Sequence, residues 1–411
     1  MSDAQHDYLD SNYSWLRLAI SLLTGTIGSA GMWVVVVVLP YVQADFSVDR
    51  GTASLPYTAT MMGVAIGSVV IGRYVDRVGI VLPLVISSIT LALGFVLAAF
   101  SSSIWIFAIA QGALVGLAAA VSVGPLIADI SHWFNRRLGI AVAVTASGNY
   151  LAGTIWPTIL QQFVDDLGWR SVYIGLGVFS VLTMLPLAML LRRRPPIVLR
   201  SSSTLSHSAA GVRPPKSIDL SPRNLQILLV FAGLCCCVAM SMPQVHIVAY
   251  CADLGFGVAR GAEMLSIMLA GGIVSRLATG FLADYIGGVK TLLLGSVLQC
   301  LALFLYMPFD GLVSLYIVSL VFGLSQGGIV PSYAIIVREY LPAAEAGERV
   351  GLVMMATIVG MAFGGWLSGW IFDLTGSYQA AFINGIVWNV INAAIIVTVL
   401  VRTRRPSTMP A

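Results

Sequence analysis

Charge is what this sequence has least of. Only 10% of its 411 residues are Asp, Glu, Lys or Arg, while 58% are hydrophobic and the mean hydropathy is +0.91. A soluble domain carries roughly 25% charged residues, so the deficit excludes a fold whose surface faces water. Also missing are a Gly-rich phosphate-cradling loop with Lys, a cluster of metal ligands, and a nucleophile constellation. Primary ATP-driven pumping and membrane-bound catalysis therefore have no visible machinery, and neither a cofactor nor an enzymatic activity is expected. Five cysteines, Cys235, Cys236, Cys237, Cys251 and Cys300, lie in or beside apolar runs without metal or disulfide spacing and read as small packing residues. The first residues carry Asp3, Asp7 and Asp10 rather than a basic n-region, so the first apolar run is expected to stay in the mature protein.

What is present is a succession of apolar runs. A helix crossing ~30 Å of hydrocarbon at ~1.5 Å per residue needs ~20 apolar residues. Twelve runs qualify, near 16–40, 52–71, 80–100, 104–128, 138–160, 170–191, 224–250, 259–282, 289–307, 312–337, 349–372 and 379–401. Most of the Lys and Arg residues between them fall on the side that holds the chain ends, including Arg17, Arg73, Arg77, Arg136, Arg137, Lys290 and Arg338, against Arg50, Arg170 and Arg260 on the other. Positive loops resist translocation, which predicts cytoplasmic termini in a cell membrane, most simply a bacterial inner membrane. The net charge of +4 is then a consequence of topology and no argument for a nucleic-acid partner.

Residues 192–223 form a Ser, Pro and Arg-rich stretch of linker composition. It divides the chain into bundles at 1–191 and 224–411, whose signals repeat. GRYVDRVG at 72–79 follows the second run and GFLADYIGG at 280–288 follows the eighth; Gln111-Gly112 in the fourth is answered by Gln326-Gly327 in the tenth. Parallel repeats with a site between them suit alternate exposure of that site to either face. Gly72, Asp76, Arg77, Gly280 and Asp284 are candidate gating residues, because a carboxylate near a helix start and arginines at neighbouring helix ends can latch one face. The alternative is a solvated turn that only stops helices.

On these loops, present once in each half, the chain resembles the major facilitator superfamily over essentially its whole length. The resemblance implies an all-α membrane protein, its twelve transmembrane helices forming two pseudo-symmetric six-helix bundles that work by rocker-switch alternating access. It implies a small-molecule substrate, a lipid bilayer setting and function as a monomer.

Ionisable groups deep in the runs are costly enough to be functional candidates. Arg276, eight residues before Asp284, lies ~12 Å from it along the helix. Arginine offers a planar fork matching a carboxylate, though snorkelling to the interface or a structural pair are open alternatives. His246, with Tyr250 one turn later, and Glu263 are candidates for proton coupling. Asn149, Thr145, Ser241, Gln244 and Tyr333 are uncharged candidates for the site, or interhelical hydrogen-bonding groups. The glycines of the fifth and eleventh runs, among them Gly148, Gly153, Gly360, Gly364 and Gly365, permit close helix contact.

The stretch RLATGFLAD at 276–284 and the segment SHWFNRRLGIAVAVTASG at 131–148 are similar to the monocarboxylate transporters and oxalate/formate antiporters. That resemblance implies that Arg276 binds a substrate carboxylate. Departures accompany it: Gly272 stands where mammalian-type members have an acidic residue, the first run has no lysine, and 351–372 holds no second cation. Ala108 occupies the place of the arginine of drug/proton antiporters. The expectation is a secondary transporter of a small organic anion, a monocarboxylate such as lactate or pyruvate, moved with protons. Its alternatives are export of a drug-like or neutral metabolite and a transporter-derived nutrient sensor.

Overall fold

A lipid interior offers no water to backbone N–H and C=O groups, so a chain crossing it satisfies them within helices. The computed structural model describes residues 9–122, 124–134, 136–193, 218–342 and 345–403, apart from the side chain of Asp76, and is helical almost throughout. Among the described residues, twelve helices are long and apolar enough to cross a membrane. Spans 1 to 6 are Asn12–Val37, Arg50–Val75, Val81–Ala99, Ile104–Ile130, Leu138–Leu167 and Trp169–Leu190. Spans 7 to 12 are Pro222–Asp253, Val258–Ile286, Gly288–Leu305, Leu312–Tyr340, Ala346–Thr375 and Tyr378–Thr403. Every run read from the sequence is a span, with ends differing by a few residues, because caps fix the ends and hydropathy does not see them. Asp49 accepts from the N–H of Thr52 at 2.7 Å to start span 2, and Ser221 with Pro222 starts span 7.

Four spans are interrupted. Span 1 breaks at Ser29 and is followed past Val38 by the short helix Leu39–Phe46, span 4 contains a π-helical segment Gln111–Gly116, span 5 breaks at Ser147, and span 10 breaks at Gly327–Gly328. The repeated Gln-Gly pair has a packing reason. Gly63 lies against the Gly112 carbonyl between spans 2 and 4, as Gly327 lies against the Gly272 carbonyl between spans 8 and 10. A side chain at Gly63, Gly112 or Gly327 would force the paired spans apart.

The start of span 1 meets the end of span 6 through Tyr13 and Leu190, and the start of span 7 meets the end of span 12 through Asp219 and Arg402. The starts of spans 1 and 7 and the ends of spans 6 and 12 thus mark one face, the terminus face. The opposite, far face is sealed along spans 2 and 11: a Cβ on Gly369 would stand 2.8 Å from the Arg50 carbonyl, and one on Gly365 3.0 Å from the Tyr57 ring. Val34 to Val38 in span 1 and Cys235 to Ala249 in span 7 are buried on every side. Toward the terminus face Gly72 in span 2, Gly280 in span 8, and Gly347 and Gly351 in span 11 meet nothing within 4 Å, so these positions make no such close contact.

Candidate functional site

Arg276 lies where span 8 crosses span 5. Its Nη1 donates to the Ala146 carbonyl at 2.9 Å, its Nε donates to the Gly327 carbonyl at 3.3 Å, and its Cζ sits 4.3 Å from the centroid of the Tyr150 ring. The acceptors are available because two helices break there. Span 5 pauses at Ser147 and span 10 at Gly327–Gly328, and the end of a helical segment leaves carbonyls unpaired and carries partial negative charge. The guanidinium therefore turns inward to mid-span carbonyls rather than toward an interface. Among the described residues no carboxylate pairs with it.

Gly272, one turn before Arg276, is where the resemblance would place an acid. A Cβ at 272 would overlap the Tyr150 ring. The aromatic face thus occupies that side of the guanidinium, and Tyr150, which the sequence reading passed over, is a direct neighbour of Arg276. The only signal for it was the coincidence of a tyrosine beside Asn149 with a glycine at 272.

Two other candidates lie close to this crossing. Both the side-chain and main-chain oxygens of Asn149 accept from Trp33 Nε1, at 3.1 and 3.0 Å. Gln244 donates to Gln326 Oε1 at 2.7 Å, and Gln326 precedes the glycine whose carbonyl holds Arg276. Gln326 Nε2 is buried and has no hydrogen-bond partner. Three more candidates are turned elsewhere. The hydroxyls of Thr145 and Ser241 bond back to carbonyls of their own helices, Ala141 and Val238. Tyr333 Oη accepts from Asn392 Nδ2 at 2.6 Å in the packed interior of spans 7 to 12.

The far face holds a second cluster. Arg50 opens span 2 and is 6% exposed. Its Nη1 donates to Tyr378 Oη at 2.6 Å, its Nη2 pairs with Asp253 at 3.1 Å, and its guanidinium lies over the Phe372 ring at 4.9 Å. All three partners belong to spans 7, 11 and 12 or their ends. His246 joins the same network: Gly365 O can only accept, so Nε2 carries the hydrogen of that 2.8 Å bond, and Nδ1 faces Tyr378 Oη at 3.3 Å. Glu263 instead accepts from Arg260 at 3.0 Å and from Tyr316, both within spans 8 and 10. On the terminus face Arg77 and Asp284 are exposed and form no ion pair among the described residues; the side chain of Asp76 lies outside them.

Besides Arg276, the structure places two other arginines out of solvent. Arg17 is 1% exposed and grips Asp129 with two bonds of 2.8 Å while lying over Trp133. Arg50 is the other. Each faces a carboxylate, and among the described residues Arg276 does not, so charge balance singles out Arg276. Nothing in the local sequence linked Arg17 to a residue 112 positions away.

Known proteins share this plan. The chain is 27% identical to the MFS-type transporter pynF of Aspergillus niger, over 82% of this chain and 76% of that protein. It is 24% identical to monocarboxylate transporter 13 of Bos taurus, over 91% and 86% of the two chains. Among solved structures, a bacterial homolog to the human lysosomal transporter Spinster, in an inward-facing and unoccupied conformation, superposes with a TM-score of 0.74 at 14% identity, covering 96% of this chain and 99% of that one. A D-xylose-proton symporter does so with 0.73 at 14% identity and the same coverage. The family model described as Major Facilitator Superfamily matches residues 21–313 and 229–411, and with the twelve spans and the repeated loops this establishes that the chain belongs to that superfamily of membrane transporters.

Proposed function

We propose that this protein is a secondary transporter of a small organic monocarboxylate, moved with protons by rocker-switch alternating access. The supporting observation is Arg276: a guanidinium between spans 5 and 8, held by a carbonyl from each half of the chain and lacking a carboxylate partner among the described residues. Carbonyl dipoles only partly offset a full charge in a low-dielectric interior, so a substrate carboxylate completes what the protein leaves unbalanced. The substrate exchanges the Ala146 bond for its own, and with it one tie between spans 5 and 8. Asn149, Thr145, Ser241, Gln244 and Tyr333 are the polar groups proposed to serve the site, with Asn149 and Gln244 nearest to it. The relatives named monocarboxylate transporters support the substrate class.

In this reading spans 1 to 6 and 7 to 12 rock as bundles of residues 1–191 and 224–411, joined by the linker at 192–223. The Arg50 cluster locks the far face, and the loops with Gly72, Asp76, Arg77, Gly280 and Asp284 lock the terminus face when the bundles rock the other way. The positive loops support a cytoplasmic terminus face. His246 is the stronger proton candidate because it shares the Tyr378 hydroxyl with Arg50, whereas the partners of Glu263 stay within its own half. A proton on Nδ1 turns an acceptor into a donor and sets a second positive charge beside Arg50.

The test is uptake of a panel of labelled carboxylates into proteoliposomes, with and without an imposed pH gradient. Uptake of a monocarboxylate stimulated by an acid outside is expected. Uptake that responds only to neutral solutes, or a protein that binds carboxylates and accumulates none, would end this reading.

A further inference from the structure

We infer that Tyr150 is the specificity-determining residue of the anion site, with Gly272 providing the space it needs. The inference rests on Arg276 being that site. Arg276 has two broad faces and an edge of N–H donors. The Tyr150 ring lies 4.3 Å from its Cζ and caps one face, and Nε and one N–H of Nη1 are committed to Gly327 and Ala146. What is left for a ligand is the remaining part of the donor edge and the uncapped face. Tyr150 is 8% exposed, so the ring is itself fixed by packing. The guanidinium is thereby held in one orientation before any substrate arrives, and a ligand need not spend binding energy on ordering a long side chain.

The same ring decides the charge balance. A carboxylate at 272 would stand one turn from Arg276 on its own helix and satisfy it internally. The ring makes that position unavailable to any side chain, since even a Cβ at 272 overlaps it. An aromatic face attracts a cation without cancelling its charge, so Arg276 is placed but not neutralised. Among the described residues no carboxylate supplies the counter-charge, which leaves that role to a ligand. The substrate class that follows is a compact anion with a single carboxylate at one end. A zwitterion would bring its own cation against the guanidinium and the ring, and is disfavoured.

The contact joins the two halves, because Tyr150 is on span 5 and Arg276 on span 8. It is therefore also sensitive to the rocking of the bundles.

Three variants test it. Tyr150→Leu removes the ring and should raise the KM for a labelled monocarboxylate about two- to tenfold with little change in maximal rate. Tyr150→Phe keeps the face and should restore the wild-type KM. Gly272→Ala displaces the ring and should reproduce the defect of Tyr150→Leu, yet add little to it in the double variant, because no ring is left to displace. Independent of substrate, a thermal-unfolding cycle of Tyr150→Leu and Arg276→Met in purified protein should show coupling, the two losses summing to more than the double variant loses. The KM rise, its rescue by Phe and the non-additivity with Gly272→Ala together support the inference. A wild-type KM in Tyr150→Leu, or additive Tm losses, overturns it. Coupling in the Tm cycle from a wild-type protein that takes up no monocarboxylate overturns instead the substrate reading on which the inference stands.

Discussion

Asp373, at the end of span 11, accepts the backbone N–H of Arg50 at 2.8 Å and that of Gly51 at 2.6 Å, so a carboxylate from one half of the chain caps the first turn of span 2 in the other. A helix start carries unpaired N–H groups and partial positive charge. The Arg50 side chain adds Tyr378 and Asp253. Backbone and side chain of one residue are thus held from three spans. Asp373→Ala is expected to shift the protein toward opening at its far face. Spin labels on Ser47→Cys and Gln379→Cys, on opposite halves, should report longer distances in that variant and in Arg50→Ala. Unchanged distances in both would show that apolar packing alone seals this face.

Arg276→Lys should lose most transport while folding and membrane insertion survive. Lysine keeps the charge, but an ammonium cannot bond two carbonyls and present a flat edge to a carboxylate at once. Uptake at wild-type level in a correctly inserted Arg276→Lys protein would contradict a role for the fork.

A monocarboxylate should be accepted and a small dicarboxylate refused. One uncompensated cation leaves a monoanion neutral and a dianion with a bare charge in the low-dielectric interior. Arg17 and Arg50 do not alter this count, because Asp129 and Asp253 face them. Competition of monocarboxylate uptake by dicarboxylates should be weak at about pH 8, where a histidine of ordinary pKa, ~6.5, is neutral. Strong competition there would require a second cation at the site.

Asp129→Asn should destabilise the protein by about 3–5 kcal/mol, because it leaves the buried Arg17 without its counter-charge. The measurement is thermal unfolding in detergent, and Arg17→Met with Asp129→Leu together should cost less than Asp129→Asn alone. A surface-like loss of under about 1 kcal/mol would mean that water reaches the pair.

Hydrophobic run length was sufficient to read the twelve spans, because a span depends on local composition set against the thickness of a bilayer. The repeated Gln-Gly pairs were legible for the same reason: each is a short local pattern needed where two spans approach closely. Arg276 stood out because an arginine deep in an apolar run is conspicuous without any knowledge of its partners. Its partners were another matter. Tyr150, Ala146 and Gly327 come together only because spans 5 and 10 break beside span 8, and a break at Ser147 leaves little mark in a run that is apolar on both sides of it. Arg50 reads in the sequence as one charge in a short loop. It becomes the centre of a latch only when spans 7, 11 and 12 deliver Asp253, Asp373 and Tyr378 from more than 200 residues away. Hydrocarbon imposes its demand on each span separately and writes it into the sequence. Contacts between the halves are set by how the finished helices pack, and only the tertiary structure decides them.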